Sequence, residues 1–375
     1  MAGPACPSAI AQHAAPAVTC ATCHLGVVNA YAHAPMRNAM LAMGADPALD
    51  AHPNLSIELN GHTYTVLTKD GKSTYTVSDG TSSLTVPIRW ILGQHSQTWV
   101  LEKDGRLYES LVSYFARDQR LAATPGDEKI VPSTLTEAMG RELPIWEARN
   151  CLTCHATGFN PEEKLTSQKL TPGLNCERCH EGAAQHMADA QLSIFTSLPK
   201  SLKKMDAGET ATFCGQCHRT WDKVVREGWK GPNNVRFTPY RLQNSKCFIA
   251  GDRRISCLAC HDPHQQINHV VAFYDAKCLA CHSPAAASHS ASAPAMSSSA
   301  SAPALSPSAS APALSPSASA PALPPFASVP HFKSCPVARE KCITCHMPKV
   351  ELAGGHAVFT DHQIRIVQPG EPYPN

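Results

Sequence analysis

Alternating polar and apolar positions predict β-strands in one part of the chain. The runs at 63–66 and 73–77 alternate and are rich in β-branched and aromatic residues, which favour strands. Asp-Gly pairs at 70–71, 79–80 and 104–105 punctuate the region and indicate hairpin turns, because glycine tolerates positive φ. We expect an antiparallel meander of about four or five strands within residues 55–118; an irregular Thr/Ser-rich loop is the alternative.

Helical patterns are shorter and lie elsewhere. Segments 134–150 and 210–229 read as helices, and the second precedes Gly231-Pro232, a common stop signal. The rest of the chain reads as short helices and loops. The sequence therefore predicts a mainly α fold with irregular loops and one small inserted antiparallel sheet.

A nonapeptide repeat occupies the region before the C-terminal segment. Residues 290–298, 299–307, 308–316 and 317–325 are near copies of Ser-Ala-Ser-Ala-Pro-Ala-Leu-Ser-Pro. With almost no charge and frequent proline, the repeat buries too little apolar surface to offset its ordering entropy. We expect a flexible, partly polyproline linker over 284–330; a solenoid is the alternative.

The cysteines follow a pattern of their own. Fourteen of the 17 fall in seven Cys-x-x-Cys-His segments, the attachment signature of c-type haem. The two thiols can bond the two vinyl groups of one porphyrin, and the histidine then supplies an axial ligand to the iron. The segments, here called motifs 1 to 7, contain Cys20, Cys23 and His24; Cys151, Cys154 and His155; Cys176, Cys179 and His180; Cys214, Cys217 and His218; Cys257, Cys260 and His261; Cys278, Cys281 and His282; and Cys342, Cys345 and His346.

Zinc is the alternative occupant of these cysteines. The Cys151/Cys176 and Cys257/Cys278 separations resemble those of paired zinc knuckles. Seven pairs cannot be grouped two by two, however, and a zinc ribbon has no need of histidine after every second cysteine. The sequence therefore predicts seven covalently bound c-type haems.

Twelve further histidines could bind the opposite face of each iron, so two imidazoles per haem are possible. His186 and His264 follow His180 and His261 too closely to turn back onto the same haem, and we expect each to serve a neighbouring haem. The preferred distal ligands are His52, His95, His186, His264, His331, His356 and His362. His13, His33 and His62 stay open as alternatives, and Met36 could form one His/Met pair.

Three cysteines lie outside the motifs. They are Cys6, Cys247 and Cys335. In an oxidising compartment we expect Cys247 and Cys335 to pair; the alternative is that all three stay free thiols.

Charge and hydropathy exclude some classes of protein. The formal net charge of +2 gives no basic footprint for nucleic acid. No run approaches the roughly 18 apolar residues of a membrane span. The first ten residues lack a signal peptide's basic and apolar regions. Because covalent haem attachment normally follows export, we expect a periplasmic or extracellular protein whose signal peptide is absent from this sequence.

The motif spacing suggests a division of the chain. We expect an N-terminal haem segment at 1–54, the β insertion at 55–118 and a central core at 119–283 that holds haems 2 to 6. The linker follows at 284–330, and a C-terminal haem segment occupies 331–375. The expected fold class is mainly α with irregular haem-binding loops.

Several segments resemble multihaem cytochromes c. They are 173–180 with the following His186, 256–264, and the C-terminal stretches 342–349 and 359–365. The chain is similar to the superfamily of pentahaem nitrite reductases, hydroxylamine oxidoreductases, octahaem tetrathionate reductases and multihaem electron carriers, especially carriers fused to tetratricopeptide repeats. The resemblance implies that His95, His186, His264 and His362 are haem ligands. All seven motifs end in histidine, which departs from the Cys-x-x-Cys-Lys motif of the nitrite reductases' catalytic haem.

These observations favour an electron carrier. Short separations between motifs leave little chain to insulate neighbouring porphyrins, so we expect a heptahaem relay with mostly bis-histidine haems. Its partners would be other cytochromes or quinol-linked membrane complexes. The alternatives are an oxidoreductase that acts on a small nitrogen or sulfur compound at one open haem, and a subunit of an extracellular cytochrome filament.

Overall fold

The computed structural model describes residues 19–160, 162, 170–282, 335, 337–352, 356–368 and 370–374. It divides into two units: a first unit of Met1–His269 with Ile343–Asn375, and a second unit of Val270–Cys342. The predicted linker at 284–330 lies outside the described residues, as do Cys6, His13 and His331.

The helices are short, and the strands are concentrated before residue 143. The helices are α1 Cys20–Tyr31, α2 Pro47–Ala51, α3 Leu135–Met139, α4 Ile145–His155, α5 Cys176–Cys179, α6 Ala183–Gln191, α7 Ala207–His218, α8 Trp221–Arg226, α9 Thr238–Gln243, α10 Cys257–Cys260, α11 Val271–His282 and α12 Cys342–His346. The strands are β1 Met40–Ala42, β2 Asn54–Leu59, β3 His62–Lys69, β4 Lys72–Ser78, β5 Ser83–Leu92, β6 Ser96–Lys103, β7 Arg106–Ser110, β8 Val112–Phe115, β9 Arg120–Ala123, β10 Gly140–Glu142, β11 Ala156–Thr157, β12 Thr171–Pro172, β13 Lys349–Glu351 and β14 Val358–Thr360. Among the described residues, no helix is long and apolar enough to cross a membrane.

The largest element is a curled antiparallel sheet, which counts ten strands in the described part of the chain. Its order is β10-β7-β6-β5-β4-β3-β2, while β1 pairs with β5, and β8 pairs with both β6 and β9. The prediction of a mainly α fold with a small sheet is therefore wrong, since the described residues are 34% helical and 23% strand. The sheet also includes β1 and β10, which have three residues each and are too short to show an alternating pattern in the sequence. Strand β9 lies beyond the predicted end of the insertion at residue 118.

The hairpins follow the predicted turn chemistry. The two alternating runs form β3 and β4, which pair antiparallel along their length. Asp70 and Gly71 between them have φ of 51° and 68°, and Asp104 and Gly105 between β6 and β7 have 51° and 73°. Two successive positive φ values match the twist of a two-residue hairpin. The predicted hairpins are confirmed at both places.

A core of aliphatic and aromatic side chains lies against one face of the sheet. Tyr64, Tyr75 and Trp99 are fully buried, and their ring centres are spaced 6.2 Å and 6.0 Å along the row. Such tilted and edge contacts add to the free energy of burial. Helix α3 packs on this core through Ala138 and Met139. The sheet is thus stabilised by side chains of its own.

Both predicted long helices are interrupted. In the first, α3 ends at Gly140, whose φ is 153°, and β10 then pairs with β7. In the second, α7 ends at His218 and Arg219 takes a φ of 72° before α8 begins. The Thr220 side chain caps α8 by accepting a hydrogen bond from the Lys223 amide. Each break therefore has a local backbone cause.

Candidate haem centres

The seven motifs lie on helices in two alternating ways. Motifs 1, 3, 5 and 7 begin their helices, namely α1, α5, α10 and α12. Motifs 2, 4 and 6 end theirs, namely α4, α7 and α11. In either setting the two cysteines are three residues apart on one turn, which places both thiols on the same helix face. Bonding of both thiols to one porphyrin is consistent with this arrangement.

Local capping explains where these helices start. Asp206 and Glu209 form a capping box at the start of α7. At the start of α10, the Ser256 side chain accepts a hydrogen bond from the Ala259 amide at 3.2 Å. Such caps satisfy amides that have no partner within the helix. These caps set where the helices that carry motifs 4 and 5 begin, and they depend only on side chains of the protein.

Thiols of different motifs lie next to each other. Hydrogen bonding with Cys217 lowers the pKa of Cys154 to about 6, and hydrogen bonding with Cys257 raises the pKa of Cys214. Cys20 likewise has Cys176 as a hydrogen-bonding neighbour. These contacts join motif 2 to 4, motif 4 to 5, and motif 1 to 3 in the first unit.

The second unit has a contact of the same kind. The side chains of Cys278 and Cys342 are within hydrogen-bonding distance. The first cysteines of motifs 6 and 7 are therefore neighbours, although the sequence separates them by the repeat region.

In two pairs of histidines, the distance between the rings is that expected for two ligands of one metal ion. The ring centres of His180 and His264 are 5.9 Å apart with planes 9° from parallel, and those of His261 and His362 are 6.2 Å apart. A metal–imidazole bond is about 2.0–2.1 Å, and a ring centre lies about 1.1 Å beyond its nitrogen. Two imidazoles on opposite faces of one iron thus have centres roughly 6 Å apart. Each pair combines a motif histidine with a predicted distal one.

The tautomers of several histidines are also suited to metal binding. In each case Nδ1 donates to a backbone carbonyl, which leaves Nε2 as the available lone pair. These bonds join His155 to Ala39 at 2.8 Å, His180 to Lys200 at 3.2 Å, His186 to Ser197 at 2.8 Å, His346 to Arg365 at 2.9 Å and His362 to Thr360 at 3.0 Å. Desolvation lowers the pKa of His362 to about 4, so this imidazole is neutral near pH 7.

Two predicted distal histidines have carboxylate partners instead. Nδ1 of His264 lies 3.0 Å from Oδ1 of Asp262, and Nδ1 of His356 lies 2.9 Å from Oδ2 of Asp118. The His356 ring also lies 4.4 Å from the ring of Phe115, at the end of β8. A carboxylate partner makes an imidazole a more basic ligand. The sheet thus supplies a residue that orients one of the candidate ligands.

The remaining candidates are less grouped. His52 caps the end of α2 with its ring 5.6 Å from that of Tyr114, and His95 lies exposed between β5 and β6. Among the described residues, neither of them makes a ring contact with a motif histidine. His24 is exposed at a kink in α1, and His282 is half-buried at the end of α11. The Cys247–Cys335 disulfide stays a prediction.

A cavity of about 640 Å³ lies beside motif 4, with Trp229 and Phe237 among its walls. Three cations also line it: Arg219, Lys230 and Arg236. Within the described ranges, none of the three pairs with a carboxylate. Desolvation and the neighbouring Arg219 charge lower the pKa of Arg236. Aromatic walls suit a porphyrin, and the cations suit its propionate groups.

Sequence reasoning missed these cations. Lys230 and Arg236 lie in the basic and aromatic stretch 229–237, which begins 11 residues after His218, and Arg219 directly follows motif 4. His155 and His218 also line the cavity, so it brings together the axial residues of motifs 2 and 4. The donor set, the histidine spacing and this cavity together fit covalently bound haem.

A family model matches part of the chain and agrees with this chemistry. The family model described as "Cytochrome c554 and c-prime" matches residues 127–181, which include motifs 2 and 3. The solved structure of the outer cell wall cytochrome OcwA is similar at 19% identity and a TM-score of 0.31, over 53% of this chain and 36% of that one. The matched part spans about a third of that protein's length. No curated protein matches the chain significantly. The repeated attachment motifs and the family match over residues 127–181 both support a multihaem c-type cytochrome.

Proposed function

We propose that this protein is a multihaem c-type cytochrome that acts as a heptahaem electron relay. The observation that carries the proposal is the contact between thiols of different motifs, which makes the attachment points of motifs 1 and 3, 2 and 4, 4 and 5, and 6 and 7 neighbours. Porphyrins bound at neighbouring points have little protein between them. When bound, haem supplies reversible one-electron chemistry. The protein holds the haems close together and sets the ligand environment of each.

The axial positions are mostly occupied by pairs of histidines in this proposal. His180 with His264 and His261 with His362 have the spacing for two haems. His186 and His356 have ordered Nδ1 partners and serve as distal ligands elsewhere. His52, His95 and His331 complete the proposed set. Two imidazoles on an iron exclude substrate from it, as an electron carrier requires.

Mass spectrometry and potentiometry test the relay. Protein from a host that attaches c-type haem should carry seven haems and show low-spin spectra across overlapping redox transitions. The double variants Cys176→Ala/Cys179→Ala and Cys278→Ala/Cys281→Ala should each lose one haem. Replacing Cys335, which lies outside the motifs, serves as the matched control and should lose none. An unmodified 40.2 kDa chain from that host would end the proposal.

The cavity beside motif 4 favours a second function, reduction or oxidation of a small nitrogen or sulfur anion. Its cations Arg219, Lys230 and Arg236 could hold an anion beside an iron with an open face. Added nitrite or cyanide should then shift a high-spin signal. Replacing Arg219 and Arg236 by Gln should weaken that shift, whereas Arg106→Gln in an exposed ion pair should not. Uniformly low-spin spectra that ignore both anions count against this function.

We propose an exported protein, located in the periplasm or outside the cell, because covalent haem attachment normally follows export. Its partners in this proposal are other cytochromes or quinol-linked membrane complexes. Cell fractionation tests the location, with a cytoplasmic marker as control. Electron microscopy of the purified protein distinguishes a monomeric carrier from a subunit of a filament.

A further inference from the structure

Arg241 and Asp361 form a fully buried ion pair between α9 and the C-terminal segment. Both side chains are 0% exposed. The arginine donates from Nε to Oδ1 and from Nη2 to Oδ2, each at 2.8 Å. Such a two-pronged bond fixes the orientation of both groups.

Further contacts of Arg241 bind the rest of the C-terminal segment. Its Nη1 donates to the Pro374 carbonyl at 2.9 Å, and its Nη2 donates to Oε1 of Gln363 at 2.7 Å. Its guanidinium carbon lies 4.6 Å from the centre of the Tyr373 ring. Four hydrogen bonds and one ring contact therefore satisfy this buried cation within a single segment.

The charges of this cluster balance. Arg365 donates to Oδ2 of Asp361 at 2.9 Å and to Oε1 of Glu371 at 3.1 Å. Two arginines thus face two carboxylates. Loss of one partner of a buried pair leaves an uncompensated charge, which is strongly destabilising. The cluster therefore has one favoured arrangement.

His362 lies inside the backbone that this cluster fixes. The Gln363 amide donates to Oδ1 of Asp361 at 3.0 Å, and the Ile364 amide donates to Oγ of Ser245 at 2.8 Å. The His362 imidazole itself has its Nδ1 partner at Thr360 and its ring 6.2 Å from that of His261. Restraints on both sides of the residue thus set where its imidazole points.

We propose that Arg241 and Asp361 are positioning residues that hold His362 as the distal ligand of the haem attached at Cys257 and Cys260. This inference rests on the proposed haem relay. The hydrogen bonds of both residues go to the segment that carries His362, so each acts through the backbone of 361–364. Weakening the cluster releases His362 and leaves this one haem five-coordinate, while the other haems keep both ligands.

Spin state and carbon monoxide binding test the inference on the haem-loaded protein. Arg241→Lys keeps the charge but loses the two-pronged bond, and Asp361→Asn keeps the shape but loses one charge. Each should give a high-spin signal and carbon monoxide binding equivalent to part of one haem. His362→Ala should give the same signal at full amplitude, and added imidazole should reverse it. Arg106→Lys in the exposed Arg106–Glu142 pair is the matched control and should stay low-spin.

A milder variant covers the case in which the buried substitutions prevent folding. Gln363→Ala removes one contact to Arg241 and leaves the buried charges paired, and it should give a smaller fraction of the same signal. The inference is overturned when the folded variants all stay as low-spin as the wild type. A wild-type protein without covalent haem instead overturns the proposed relay, so the two failures are distinguishable.

Discussion

The carboxylate of Asp275 accepts a hydrogen bond from the backbone amide of Cys342 at 2.8 Å. Its other oxygen accepts from the Lys341 amide at 2.7 Å. Asp275 lies in α11 one turn before motif 6, and Cys342 opens motif 7, so one side chain joins two attachment sites that are distant in sequence. Within the second unit, these hydrogen bonds hold the start of motif 7 next to α11.

Asp275→Ala should loosen the start of motif 7. Two amides at partly exposed positions lose their acceptor, at a cost of about 0.5–1.5 kcal/mol for each lost bond. Hydrogen exchange at residues 341–342 measures the effect, and Asp275→Asn, which keeps one carbonyl acceptor, should be intermediate. Unchanged exchange in the alanine variant would show that the bond contributes nothing.

Asp46 should make the stability of the sheet depend on pH. Desolvation raises the pKa of this carboxyl, which is 3% exposed and accepts hydrogen bonds from Ala48 and Gln97. A raised pKa in the folded state means that folding favours the protonated carboxyl. Its contribution to the free energy of unfolding is therefore complete below the unfolded pKa of 3.8 and is lost as the pH rises through the folded pKa.

The matched variant is Asp46→Asn, which keeps a helix cap and removes the buried charge. Its gain in unfolding free energy over the wild type should be larger at pH 7 than at pH 3. Urea titrations at both pH values measure it. Equal differences at the two pH values would contradict the assignment to this group.

Gly140→Ala should destabilise the junction between α3 and β10. A Cβ at this position would lie 2.0 Å from the Glu109 carbonyl oxygen, and the φ of 153° is itself strained for alanine. We expect a loss of more than about 1 kcal/mol. Gly61→Ala is the control, since its φ of 78° is also positive but nothing lies within 4 Å of its Cβ. In thermal unfolding, Gly140→Ala should have a lower midpoint temperature than Gly61→Ala.

Asp262→Asn should raise the reduction potential of one haem. The carboxylate beside Nδ1 of His264 makes the imidazole a more basic ligand, which stabilises the ferric state. Potentiometric titration should show one transition move to higher potential. Asp252→Asn, in a pair with the exposed Arg254, removes the same charge without a histidine partner and should leave that transition in place.

The sequence could predict features that depend on neighbouring residues. The Cys-x-x-Cys-His motifs contain all their ligands within five positions, and the Asp-Gly turns carry their own backbone preference. Strands β1 and β10 could not be predicted, because three residues show no clear alternation and pairing with β5 and β7 decides their structure. The mainly α expectation failed because residues 54–115 hold seven strands, β2 to β8, where four or five were expected, and because β1 and β10 extend the sheet further.

Candidate ligands far apart in sequence were harder to identify. Counting histidines indicated a pool of distal ligands, but only the fold brings His362 beside His261. The Arg241–Asp361 pair spans 120 residues and has no local signal at all. The cations of the cavity beside motif 4 are likewise brought together by the folding of α7, α8 and the turn that follows them.

The position of the large sheet in the chain has a consequence for biogenesis. All ten of its described strands lie between motif 1 and motif 2, and its main core contains neither cysteine nor histidine. None of these packing contacts requires a prosthetic group. In the proposed cytochrome, the sheet can therefore fold without haem, with one attachment motif before it in the chain and six after it.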